Sequence, residues 1–160
     1  MTIRIATHKD LDELYSLWCE LMDEHQAFHP IFGYHPSADF QLKRVLRTRL
    51  AENNTRMFVA QGRYGLLGLM VVTYQVGSTG MHYFRRGYIA ETIVREAYRR
   101  QGLGRALFGA AKDWLTAQGA DHLELQVAVA NPAGRRFWES QGFAPTTFHM
   151  MQPLPKSPEE

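Results

Sequence analysis

The sequence predicts an α/β domain of the α+β type, and three observations carry the prediction. From Tyr88 to Val129 a strand, a helix and a second strand follow one another within about 40 residues, the length of a βαβ crossover with parallel strands. Upstream the order is strand, two helices and a hairpin, which adds antiparallel neighbours to that pair. The chain has 160 residues, 45% hydrophobic and 21% charged, an ordinary globular composition at a length that suits one domain with a buried core.

Ile3 to Ala6 forms the first short strand. From Asp10 onward Leu11, Leu14, Trp18, Leu21 and Met22 recur at helical spacing, with acids mostly on the other side. Cys19 lies at the edge of that apolar stripe, in a packing position. The stretch His25 to Pro36 carries His25, Phe28, His29, Phe32, Tyr34 and His35 between turn residues, and reads as a loop with an aromatic lining. His25 and His29 have the spacing of a helical metal pair. Gln26 stands where the zinc-protease motif needs Glu, however, and no cysteine cluster accompanies them, so no metal is expected. A second helix covers Asp39 to Ala51. Arg56 to Gln61 and Leu66 to Gln75 are strands joined as a hairpin through Gly62 to Gly65.

The second half is more regular. Tyr88 to Val94 is a strand, and Leu103 to Gln118 is a helix with Leu103, Leu107, Ala110, Ala111 and Trp114 on one face. Gly119 is placed to stop it. Leu123, Leu125, Val127 and Val129 alternate with Glu124, Gln126 and Ala128, the mark of a strand with one buried face. Asn131 and Pro132 form an N-cap and first-turn pair for a last helix ending at Gly142. Phe143 to Gln152 reads as a closing strand. Residues 1–152 therefore form one domain, and 153–160 a flexible tail.

Charge is segregated along the chain. Eighteen Lys and Arg against 16 Asp and Glu leave a formal net charge of +2, which gives no reason to expect nucleic acid or an anionic membrane as partner. Between Lys9 and Glu24 six acids face one base, a local −5; between Arg85 and Arg105 six bases face two acids, a local +4. The acidic run suits either a solvated helix face or recognition of a cationic amine. The longest apolar stretch, Leu66 to Val72, is interrupted by Gly68 and is far short of the ~20 residues of a membrane helix. One cysteine and no signal-peptide pattern at the start point to a reducing cytoplasm.

The informative junction follows Val94. A strand runs out, a turn carries Arg95, Arg99 and Arg100, and Gly102 and Gly104 open a helix. A helix N-terminus offers unpaired N–H groups and about half a positive charge, glycines admit an anion to the backbone, and arginines add charge. A pyrophosphate is the natural ligand. The dinucleotide fingerprint fails, since Leu107 stands where a third glycine is needed, and no Gly-Lys-Ser/Thr is present for a triphosphate loop. On its own the glycine pair is also compatible with tight helix–strand packing.

Arg99-Arg-Gln-Gly-Leu-Gly104 resembles the Arg/Gln-x-x-Gly-x-Gly/Ala signature of the GNAT superfamily of acyl-CoA-dependent N-acetyltransferases. Asn131-Pro-Ala-Gly-Arg-Arg-Phe-Trp-Glu-Ser-Gln-Gly-Phe143 is similar to the family's Asn-x-x-Ala-x-x-Phe-Tyr-Glu-x-x-Gly-Phe stretch. The resemblance covers Tyr88 to Phe143. It implies a mixed, mostly antiparallel sheet of six to seven strands with a central splayed parallel pair, flanked by four helices. It implies acetyl-CoA as co-substrate, an amine as acceptor, and a homodimer as a family expectation. The pyrophosphate would lie on Arg99, Arg100, Gln101, Gly102, Leu103, Gly104 and Arg105. The pantetheine arm would run between the splayed strands against Ile93, Val94, Asn131 and Phe137, with the Val94 N–H facing the thioester oxygen.

Acyl transfer to an amine needs the neutral amine, and an alkylamine with a pKa of about 10.4 is almost wholly protonated at pH 7. Glu91 is the candidate general base, on a strand position that shares a face with Ile89 and Ile93. The bland alternative is pairing with an arginine or exposure to solvent. Trp138 stands where many family members have a tyrosine acid, and its indole cannot fill that role. Either no general acid is used or another group supplies it, with Tyr88, Tyr98 and His149 as candidates. Loss of that tyrosine also motivates a second reading, a catalytically weakened CoA-binding regulatory module.

Overall fold

Residues 1–158 are described by the computed structural model of the chain. Five strands form one sheet in the order of the sequence: β1 (Thr2–Ile5), β2 (Thr55–Gln61), β3 (Leu66–Val76), β4 (Arg85–Val94) and β5 (His122–Leu125). The first four pair antiparallel and only β4 and β5 run parallel. The helices are α1 (Leu11–Gln26), α2 (Asp39–Ala51), α3 (Leu103–Gln118) and α4 (Pro132–Ser140).

The sheet is covered on both faces, which explains why β2 and β3 read as continuous apolar runs. Met57, Val59, Leu69 and Val71 pack against Leu14, Leu17 and Leu21 of α1 and Leu46 of α2. The alternate residues Phe58, Ala60, Met70 and Val72 pack against Leu103, Leu107, Ala111 and Leu115 of α3. Each such buried leucine contributes on the order of 1.5–3 kcal/mol. Behind α3, Phe108, Phe137, Trp138 and Phe143 form an edge-to-face cluster with centroids 4.8–5.7 Å apart, which docks α4.

The sheet has five strands rather than six to seven. Phe143 to Gln152 forms no ladder: Phe143 is drawn into the aromatic cluster, Pro145 lacks an N–H, and Phe148 and Met150 stand exposed. Of the tail expected over 153–160, Glu159 and Glu160 lie outside the described residues. The strand expected through Val129 ends at Leu125, and Val129 is 97% exposed. Alternation alone cannot hold a strand without a partner, and here the partner turns away.

It turns at a β-bulge. Met70 pairs with Thr92 but Val72 pairs with Ile89, so two residues of β4, Ala90 and Glu91, oppose Val71 alone. The bulge flips the side-chain alternation. Ile89 faces α3, whereas Ile93 faces α1 and α2. Ile89, Glu91 and Ile93 therefore do not share a face, contrary to the simple period-2 reading.

Candidate active site

Beyond the pair Ile89–Leu125 the outer edge of β4 is open, so the two parallel strands splay over Ala90 to Val94. The ladder fixes which groups face that opening. The Arg95 N–H donates to the Leu67 carbonyl at 2.8 Å, so in antiparallel alternation Val94 turns its N–H and C=O away from β3, into the splay. The Val94 carbonyl accepts from Arg99 Nε at 2.7 Å, which leaves the N–H for a ligand. Ile93 makes the opposite choice: its main chain faces Leu69 of β3 and its side chain is buried under α1. Thr92 lies on the α3 side of the opening, and its Oγ1 is buried with no hydrogen-bond partner among the described residues.

After Val94 the chain makes one 3-10 turn, Glu96 to Tyr98, and enters α3. Arg100 (φ 61°) and Gly102 (φ 83°) both adopt the left-handed conformation, which turns successive N–H groups to one side. The N–H groups of Gln101, Gly102, Leu103, Gly104 and Arg105 have no acceptor among the described residues. Leu103 contributes only its main chain, since its side chain is buried. The two glycines differ. A Cβ at Gly102 would meet nothing within 4 Å, so its surroundings are open; a Cβ at Gly104 would lie 3.3 Å from the Phe137 ring, so Gly104 admits α4.

Asn131 caps α4, its Oδ1 accepting from the Gly134 N–H at 3.0 Å. Its Nδ2 has no partner among the described residues. Gly134, where the family has alanine, leaves room for it: a Cβ there would lie 2.5 Å from that nitrogen. Trp138 is buried in the aromatic cluster, where a packing role accounts for it. Among the suggested replacements for the family tyrosine, Tyr88 lies under Arg86 (4.2 Å) with its pKa raised chiefly by burial, so it stays a phenol at neutral pH. Tyr98 is exposed in the 3-10 turn, and His149 contacts Gln126 at 3.4 Å.

The opposed charge runs meet one another. Glu20 pairs with Arg95 at 2.7 Å, and Glu24 pairs with Arg99, so one face of α1 clamps the turn that leads into α3. The other acids of that run are also engaged: Asp10 by Arg4, Asp12 by Lys43, Glu13 by the Leu66 N–H and Asp23 by the Tyr34 hydroxyl. The −5 segment is thus no free face for a polyamine. The arginines of the turn are divided accordingly. Arg95 and Arg99 are held, while Arg100 and Arg105 make no ion pair among the described residues.

Glu91 reaches toward α2, where Arg49 Nη1 and Nη2 donate to its two oxygens at 2.8 and 3.0 Å. The side chains are 22% and 19% exposed. The Arg49 guanidinium is held above its ordinary pKa by Glu91 despite burial, which acts the other way. A groove of about 620 Å³ runs along α1 past Tyr15, Cys19, Asp23 and Glu24, but Glu91 does not line it. Burial pushes Tyr15 up to about 12. His25 and His29 are not a pair: His25 Nδ1 contacts the Leu21 carbonyl, and His29 Nδ1 accepts from Ile31 N–H. No helix among the described residues is long and apolar enough to cross a membrane.

Two participants were not foreseen. Arg49 follows Leu46 by one turn on the buried side of α2, where helical periodicity calls for an apolar residue; that mismatch is its signal. Thr92 is the one hydroxyl in the strand segment from Ile89 to Val94.

Comparison with known proteins matches residues 12–143 to the Acetyltransferase (GNAT) family. A mycothiol acetyltransferase of Beutenbergia cavernae is 42% identical over 55 residues, 34% of this chain and 18% of that protein, so the chain spans only a small part of that relative's length. Among solved structures, a tetramutant of the BH1408 protein of Bacillus halodurans superposes with a TM-score of 0.84 at 24% identity, covering 96% of this chain and 100% of that one. The aminoglycoside N-acetyltransferase AAC(6')-Iy in complex with CoA gives 0.77 at 16% identity, covering 96% and 93%. At those identities the structures speak for the fold.

Proposed function

Because the chain belongs to the GNAT acetyltransferase family, we propose that it transfers an acetyl group from acetyl-CoA to a primary amine by direct attack. The observation that carries this reading is the open edge of β4, where the free Val94 N–H leads directly to the run of unpaired N–H groups from Gln101 to Arg105. These residues fit CoA. The α3 turn with Arg100 and Arg105 would hold the diphosphate, and the β4 edge, Thr92 Oγ1 and Asn131 Nδ2 would meet the amide groups of the arm. Bound acetyl-CoA supplies an activated acyl carbon and a thiolate leaving group; the Val94 N–H would be the single donor to the thioester oxygen.

Glu91 is the base in this reading. It takes one proton from the ammonium, the amine nitrogen bonds to the acyl carbon as the C–S bond breaks, and the second N–H proton ends on the CoA sulfur. A thiol pKa near about 8.5 makes the thiolate a tolerable leaving group, so the buried Trp138 does not stop the reaction. The test is release of CoA thiol against polyamines, aminoglycosides, amino acids and peptide N-termini. Glu91→Gln is expected to slow release more at neutral pH than at high pH, where the free amine is available from solution; equal slowing at every pH counts against the assignment. The weakened-module reading shares the cradle, so both expect acetyl-CoA to stabilise the protein by about 4 kcal/mol at a thousand times its Kd. Turnover separates them.

A further inference from the structure

The ion pair between Arg49 and Glu91 has the form of a receptor for a zwitterion. Its two charged groups are half-buried, joined by two parallel hydrogen bonds of 2.8 and 3.0 Å, and stand on the α1/α2 face of the sheet at the bulge. The free N–H turn of α3 belongs to the other face, so a molecule at this pair approaches the splay from the side opposite the CoA cradle. Next to Arg49 lies a groove of about 410 Å³ on α2, walled by Phe40, Val45, Arg44, Thr48 and Glu52. Phe40 and Val45 are exposed, and Arg44 has no carboxylate within 4.0 Å among the described residues. The local chemistry is part apolar, through Phe40 and Val45, and part charged, with Arg44 and Arg49 set against Glu52 and Glu91. The acids of α1, which would favour a polyamine, are already paired.

We propose that the acceptor is an α-amino acid with an apolar side chain, which enters between Arg49 and Glu91: its carboxylate takes the guanidinium and its ammonium takes the carboxylate. This rests on the N-acetyltransferase reading and names the substrate class for it. The exchange replaces the one Arg49–Glu91 pair by two pairs with the ligand, so neither half-buried charge is left alone. A simple amine offers only half of the exchange and would leave Arg49 without a partner. In an α-amino acid both charged groups hang on one carbon, which suits two protein groups already in contact. The side chain then falls toward Phe40 and Val45. Once seated, the ammonium touches the residue that must take its proton, so recognition and deprotonation use the same carboxylate.

The experiment compares phenylalanine, phenylalaninamide and phenethylamine as acceptors, reading CoA thiol release and the mass of the product. The free amino acid is expected to show a kcat/KM about tenfold or more above the amide and the amine, because only it can replace the bidentate partner of Arg49. Arg49→Gln is expected to bring that ratio to about 1, mainly through the KM for the amino acid, with the acetyl-CoA-induced thermal shift kept. Arg49→Lys should recover part of the preference. A wild-type enzyme that uses amide or amine as well as the amino acid, or an Arg49→Gln variant that keeps the preference while still binding acetyl-CoA, overturns the proposal. Acetylation of spermidine or a peptide with no turnover of any amino acid also overturns it, and leaves the N-acetyltransferase reading standing. Absence of any acetyl-CoA stabilisation defeats that reading itself.

Discussion

Removing the charge of Asp10 should destabilise the protein in a way that fades with acid. Arg4 donates to both oxygens of Asp10 at 2.9 and 2.8 Å, and the Thr7 N–H donates at 2.8 Å, so β1 is tied to the first turn of α1. Chiefly through the Arg4 bonds, the Asp10 carboxyl is lowered from 3.8 to about 2. At about 1.36 kcal/mol per pH unit this corresponds to at most about 2.4 kcal/mol at neutral pH. Arg4 is one-third exposed, and screening reduces the expected cost of Asp10→Asn to about 1–2 kcal/mol, or about 2–8 °C in Tm. The folded-state pKa is depressed, so the contribution is complete above the unfolded value and is lost as pH falls through the folded one. About half should remain at pH 3. Urea unfolding of wild type and variant at pH 7 and pH 3 reads this directly. A gap under about 0.5 kcal/mol at pH 7, or one that is as large at pH 3, refutes the account.

Two further substitutions probe the cradle and the missing tyrosine. Gly102→Ala places a Cβ at φ 83° in open space, with a local strain of about 1–2 kcal/mol; calorimetry should show acetyl-CoA affinity falling about tenfold. Gly104→Ala, whose Cβ would press on Phe137, should cost folding stability more than affinity, and equal affinities for wild type and Gly102→Ala would remove the turn from the site. Trp138→Tyr puts a hydroxyl into the aromatic cluster; kcat should change less than about twofold while stability falls by about 1 kcal/mol or more. A tenfold rise in kcat would show instead that this position reaches the leaving group.

Local chemistry was legible wherever the chain acts on its near neighbours. The boundaries of α2 and α3, the Asn131 cap and the Gly119 stop follow from spacing, capping and turn residues within a few positions of each other. The misreadings share a cause. Val127, Val129 and the residues after Phe143 have strand-like patterns, but a strand exists only if a partner edge is within reach, and β4 turns away at its bulge. Placing Ile89 on one face with Glu91 and Ile93 failed for the same reason, because one extra residue in a ladder inverts every later side chain.

The sequence by itself determined the βαβ unit, the glycine-bearing turn at the start of α3 and the family to which these belong, since their signals are continuous in the chain. Only the tertiary structure decided how charge is used. Glu20 and Glu24 close on Arg95 and Arg99 across 75 residues, and Glu91 closes on Arg49 across 42. A net charge of +2 and two opposed local runs are compatible with many pairings, and selection among them needs the few-ångström distances that packing of α1 and α2 on the sheet creates. That packing turns the acidic run from a candidate amine site into a clamp, and places the Arg49–Glu91 ion pair beside the opening where the acyl group is expected.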